Sequence, residues 1–132
     1  MIESSQATTV LLVEDNELNR DMLSRRLTRR GFRVVTALDG ETAVKLSREL
    51  KPDLILMDMG LPGMNGWEAT RAIKQNRETQ AIPIVALTAH ALNADRERAL
   101  SAGCDAFETK PVDLEHLLRA IGSLLNGRSK GT

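Results

Sequence analysis

The sequence predicts an α/β fold, a doubly wound five-stranded parallel sheet with helices on both faces. Three observations carry this. Short apolar runs alternate with stretches of helical spacing, most of the runs are continuous rather than alternating in polarity, and capping residues fall at the junctions. At 132 residues, 42% hydrophobic and 27% charged, the chain suits one domain with a buried core.

The first run is Val10, Leu11, Leu12 and Val13, followed by a helical stripe of Leu18, Met22, Leu23 and Leu27. Gly31 stands where a left-handed helix end is wanted, and Val34-Val35 marks a second strand. Asp39 then caps a helix whose stripe is Ala43, Leu46, Ser47 and Leu50. The third strand is Leu54, Ile55, Leu56 and Met57; Asn65 with Glu68 has capping-box spacing ahead of a helical stretch over 66–77. Ile84, Val85, Ala86 and Leu87 form the fourth strand, and 93–102 fills a fourth helical slot ending at Gly103. Ala106 to Thr109 is a weaker fifth strand. Asp113 caps the clearest helix, with Leu114, Leu117, Leu118, Ile121, Leu124 and Leu125 on one face and Gly127 as its expected end. Right-handed β-α-β crossovers make the sheet parallel. The expected strand order is 2-1-3-4-5, which periodicity alone does not fix.

The single domain spans 1–132, with its core over about 8–126 and short polar tails. Formal net charge is +0 with no basic block, which argues against nucleic acid. No apolar run is long enough for a bilayer and no leader pattern opens the chain, so the expected compartment is the cytoplasm. The lone Cys104 excludes an intrachain disulfide and reads as a small packed residue.

Polar residues follow the apolar runs. Glu14-Asp15 follows the first strand, Asp58 the third, Thr88 the fourth and Lys110-Pro111 the fifth. In an open parallel sheet these carboxyl ends share one edge, where ligands bind. Taken singly, Glu14 and Asp15 fit a helix-end charge pair, Asp58 a turn cap, Thr88 a loop hydroxyl and Lys110 a solvated lysine. Together, three carboxylates repel, each pair by roughly 4 kcal/mol at about 4 Å and an effective dielectric of about 20. Lys110 offsets part of that, and a hard cation such as Mg²⁺ suits an all-oxygen set. Asp58 is then placed as a nucleophile toward a phosphoryl group, with Thr88 and Lys110 stabilising its oxygens.

The strings Val13-Glu14-Asp15-Asn16, Leu56-Met57-Asp58-Met59-Gly60-Leu61-Pro62-Gly63-Met64-Asn65-Gly66, Ala86-Leu87-Thr88-Ala89 and Thr109-Lys110-Pro111 resemble the motifs of response-regulator receiver domains. The resemblance covers about 8–126 and implies a flavodoxin-like (βα)5 fold. It implies that Asp58 accepts a phosphoryl group from a histidine kinase or histidine phosphotransfer protein. It also implies Mg²⁺ held by Glu14, Asp15, Asp58 and the Gly60 carbonyl, and a cis Lys110–Pro111 bond. Thr88 and Phe107 take the family's switch positions, with output through the fourth helix, fifth strand and fifth helix. Gly60 and His90 take positions that tune the phosphoryl lifetime.

No G-x-G-x-x-G or G-x-x-x-x-G-K follows the first strand, nor the D-x-D of aspartyl-phosphate phosphatases, so a turnover enzyme is not expected. Two alternatives stay open: a phosphorylation-independent binding module, and a receiver excised from a hybrid histidine kinase, whose phrasing Met57-Asp58-Met59 and Leu87-Thr88-Ala89-His90-Ala91 resembles. A stand-alone regulator is the expected case, acting through protein contacts. Arg25, Arg26, Arg29 and Arg30 on the first helix form either a kinase-docking stripe or a solvated face.

Overall fold

A computed structural model describes residues 7–89 and 93–130. Five strands alternate with five helices: β1 (Thr9–Val13), α1 (Glu17–Arg29), β2 (Arg33–Ala37), α2 (Gly40–Leu50), β3 (Leu54–Asp58), α3 (Gly66–Gln75), β4 (Ile84–Thr88), α4 (Asn93–Ala102), β5 (Ala106–Thr109) and α5 (Leu114–Lys130). All pairings are parallel and the order is β2-β1-β3-β4-β5, as expected.

The continuous apolar strands are explained by burial on both faces. Leu11, Val13, Ile55, Met57, Ile84 and Ala86 point to one side and pack with Ala43, Ala69, Ile73 and Ala99 of α2, α3 and α4. Val10, Leu12, Leu54, Leu56, Val85 and Leu87 point to the other and meet Leu27 of α1 and Leu117 and Ile121 of α5. Every side chain of β3 and β4 is buried, so these central strands form a rigid floor.

Capping residues act as the sequence suggests. Asp39 accepts from the Thr42 amide at 2.8 Å, and the Thr42 amide and hydroxyl hold its carboxyl below the usual carboxylate range. Asn65 and Glu68 make the reciprocal box at 2.9 and 3.0 Å. Asp113 accepts from the His116 amide at 3.2 Å. Gly31 and Gly103 have φ of 95° and 113°.

Three details differ from expectation. The helix α5 continues through Gly127 to Lys130, because one glycine costs only about 1 kcal/mol. Leu18 and Met22 are 67% and 44% exposed, since at 3.6 residues per turn they lie on another side of α1 from Leu23 and Leu27. Leu50, at the last turn of α2, is likewise exposed. That helix closes on Lys51 with φ 47°, a left-handed position without glycine.

The amino edge of the sheet is stapled twice. Asp53 accepts from the Thr9 amide at 2.8 Å and donates its own amide to the Thr9 carbonyl at 2.9 Å. Asp105 does the same with Ile84, at 2.8 and 2.7 Å, and also pairs with Lys74 at 3.0 Å. Cys104 is buried beside Thr70, and burial pushes its thiol up to about 11, which suits a packing residue.

Candidate active site

The strand ladders deliver the polar residues to the carboxyl edge. Val13 pairs with Met57, so the residues after them, Glu14 just past β1 and Asp58 at the end of β3, come side by side at the carboxyl edge. The Glu14 amide is fixed to the Ala37 carbonyl at 3.0 Å, and the Lys110 amide to the Thr88 carbonyl at 2.7 Å. The turn between β1 and α1 is short because Asn16 caps α1 at once, accepting from the Asn19 amide at 2.9 Å.

Glu14, Asp15 and Asp58 form a cluster whose ligand oxygens all lie within 4.8 Å of one another. Glu14 is 3% exposed and Asp58 6%, whereas Asp15 is open to solvent. Lys110 bridges the two buried carboxylates, with its Nζ 2.8 Å from Glu14 Oε1 and 3.2 Å from Asp58 Oδ1. Asp58 Oδ1 also accepts from the Gly60 amide at 3.1 Å. Thr88 is buried at the end of β4.

The charges are unevenly balanced. Burial raises the Glu14 carboxyl, and this outweighs the Lys110 hydrogen bond, with the Asp58 charge pushing the same way. For Lys110, burial on its own would lower the ammonium. The hydrogen bond to Glu14 and the Asp58 charge overcome it, and the net direction is up. Lys110 therefore pairs with two of the three carboxylates, Glu14 and Asp58.

That donor set fits Mg²⁺: hard, all-oxygen, with one member open to water. A Cβ at Gly60 would meet only Asp58 Oδ1, at 3.8 Å, so position 60 puts no side chain beside the nucleophile candidate. Gly66 is required for another reason. A Cβ there would strike the Asp58 carbonyl and the Met59 Cα, so only glycine lets α3 start against the end of β3.

The remaining expected residues are distributed as follows. Phe107 is half-buried against the core on the α2–α4 side and lines a groove with Arg96, Thr109, Pro111 and His116. Lys110–Pro111 is cis. His90 lies outside the described residues. Of the four arginines, Arg25 pairs with Asp21 and Arg30 with Glu115 of α5, while Arg26 borders a groove of about 500 Å³ beside Lys110.

Sequence reasoning missed Arg20, whose guanidinium donates to the Glu14 and Asp15 carbonyls at 3.1 and 3.4 Å. It also missed the His116–Glu108 pair, in which Nδ1 lies 2.9 and 2.8 Å from the two oxygens of a buried carboxylate. The spacing 108/116 carries no signal by itself; a glutamate in an apolar strand is the cue that a partner is needed. Arg98 of α4 lies over the Trp67 ring of α3, 3.9 Å from its centroid.

A parallel 2-1-3-4-5 sheet with an acidic cluster, a hydroxyl and a lysine at its carboxyl edge defines a receiver-type signalling domain. The chain belongs to the family described as "Response regulator receiver domain", whose model matches residues 10–122. It is 38% identical over 117 residues to the polar-differentiation response regulator DivK of Brucella anthropi, covering 89% of this chain and 95% of that protein. Among solved structures it is similar to the receiver domain of sensor histidine kinase PA1611 from Pseudomonas aeruginosa PAO1, which has a magnesium ion coordinated in its active-site cleft. That match has a TM-score of 0.86 at 38% identity and covers 91% of this chain and 98% of that one. It is also similar to the Saccharomyces cerevisiae Ssk1 receiver, solved with the phosphotransfer protein Ypd1. There the TM-score is 0.81 at 34% identity, with 87% of this chain and 86% of that one covered. The chain is thus a DivK-like receiver domain of two-component signalling. No helix among the described residues is long and apolar enough to cross a membrane.

Proposed function

We propose that Asp58 is the phosphoacceptor of a phosphorylation switch, charged by the phosphohistidine of a histidine kinase or histidine phosphotransfer protein. The observation that carries this is the position of Asp58: nearly buried, 3.2 Å from Lys110 Nζ, and in an oxygen cluster with Glu14 and Asp15.

An Asp58 carboxylate oxygen attacks phosphorus, an O–P bond forms, and the N–P bond to the donor imidazole breaks with its electron pair returning to nitrogen. Lys110 and the Thr88 hydroxyl meet the oxygens of the transferring group. Glu14, Asp15, Asp58 and the Gly60 carbonyl would hold Mg²⁺, which when bound supplies positive charge to those oxygens. Lys110 is already held at the site by Glu14, so it needs little reorganisation as charge develops.

The new charge biases a two-state element. Thr88 follows the phosphoryl group, Phe107 turns into the space left, and the α4–β5–α5 face changes for a downstream protein. Gly60 and His90 set the lifetime of the acyl phosphate. Gly60→Arg or His90→Ala with an unchanged decay rate removes that assignment. The chain works as one domain over 1–132, in the cytoplasm, and catalyses no turnover of an external substrate.

Partner docking falls on α1 and the turn into α5, where the groove beside Lys110 has an apolar floor of Met22, Leu23, Val112 and Leu114. A second reading, the receiver of a hybrid kinase, is favoured by the similarity to the PA1611 receiver, equal in identity to that with DivK.

Incubation with acetyl phosphate or phosphoramidate and Mg²⁺, read by intact mass, tests the proposal. A gain of one phosphoryl group that needs Mg²⁺ and vanishes in Asp58→Ala is expected. A folded wild type that gains nothing from small donors or from a phosphorylated phosphotransfer protein would leave a phosphorylation-independent binding module.

A further inference from the structure

Three consecutive carbonyls of the acidic turn are held by one residue. The Arg20 backbone amide donates to the Asn16 carbonyl at 2.9 Å, as the first turn of α1 requires. Its Nη1 reaches back to the Glu14 carbonyl at 3.1 Å and, more loosely, to the Asp15 carbonyl at 3.4 Å. Glu14 and Asp15 lie between β1 and α1; the Glu14 amide still bonds the Ala37 carbonyl at 3.0 Å, and the two carbonyls take the Arg20 donors. Arg20 is half-buried and has no carboxylate partner among the described ion pairs. Its donors are directed at the turn rather than at a charge.

We propose that Arg20 is a positioning residue for cation binding: it fixes the Glu14–Asp15 backbone so that both carboxylates converge on Asp58. This rests on the reading of that cluster as the Mg²⁺ site. The sign of the effect separates it from simple electrostatics. A cation this close to the carboxylates opposes Mg²⁺, so if charge alone mattered, removing Arg20 would tighten binding. A positioning role requires the reverse, because a mobile turn must be ordered when the ion binds.

The test compares wild type, Arg20→Met and Arg20→Lys by calorimetric titration with Mg²⁺ alone, by hydrogen exchange of the segment 13–17 without metal, and by urea midpoint. Arg20→Met keeps length and loses the donors; it is expected to weaken Mg²⁺ about tenfold, or about 1.4 kcal/mol. It should also speed exchange in the turn. Arg20→Lys, which can still donate to both carbonyls, should recover most of the affinity. Arg20→Leu, which likewise carries no donor, replaces the Met variant should that fail to fold, with the same expectation. Unchanged or tighter Mg²⁺ binding, or a lowered midpoint with wild-type affinity, overturns the proposal. A wild type that binds no Mg²⁺ defeats the site reading itself, an outcome distinct from any difference among variants.

Discussion

At the amino edge of the sheet, Asp53 and Asp105 each close a two-bond ring with the first residue of a neighbouring strand. At the carboxyl edge, Glu14 and Asp58 face one another across a single lysine. The side chains are of one chemical kind. Their partners differ: backbone donors that ask only for an acceptor in one case, like charges that repel in the other. The first edge is satisfied and stabilises the fold. The second brings three carboxylates together with Lys110 bonded to two of them, and the negative charge gathered there is the property a cation can use.

The contrast is broken most forcefully at Asp105. Asp105→Ala strands the Ile84 amide and removes the Lys74 pair, with an expected loss of about 2–3 kcal/mol in urea unfolding. Asp53→Ala removes the acceptor for one strand-start amide, and about 1–2 kcal/mol is expected. If either matched the effect of a carboxyl-edge substitution, the two edges would not differ as described.

The carboxyl edge should respond to ligand instead. At ten times its dissociation constant, Mg²⁺ is expected to stabilise wild type by about 1.4 kcal/mol, and Asp58→Ala by far less. Thermal melts with and without the ion check this.

The smallest effect is the sharpest in sign. Glu14→Gln without metal should slightly raise stability at neutral pH, because a buried, repelled carboxylate becomes neutral. In wild type the folded state holds the Glu14 proton more tightly than the unfolded chain. Its contribution is therefore full below the ordinary glutamate value of 4.5 and is lost as pH rises through the higher folded value. The difference between wild-type and variant urea midpoints should track that window, and the opposite slope would mean that Lys110 dominates Glu14.

The sheet was legible because burial on both faces leaves continuous apolar runs, and the cluster because strand ends announce themselves. Asp39, Asn65 and Asp113 were legible as caps since their side chains act within three residues. What escaped depends on three dimensions. Lys110 and Glu14 are 96 residues apart, and no pattern tells which carboxylate the lysine prefers. Leu18 and Met22 look like core in any hydropathy reading, yet the sheet presents itself to the other side of α1. The carbonyls that Arg20 engages are backbone atoms, invisible in a list of side chains.

The strand order has a further consequence for how such a chain can diversify. The ends of β1, β3, β4 and β5 carry Glu14 and Asp15, Asp58, Thr88 and Lys110. β2 supplies none of them, although the turn after it presses Gly40 against the Met64 carbonyl. β2 is tied in through its backbone, since the Ala37 carbonyl holds the Glu14 amide. Side-chain substitutions in β2 and on the outer face of α2 therefore leave the clustered side chains in place, whereas a change at the other strand ends alters the cluster itself. One flank of the molecule can change its side chains, and take on new neighbours, without touching the acidic cluster on the other.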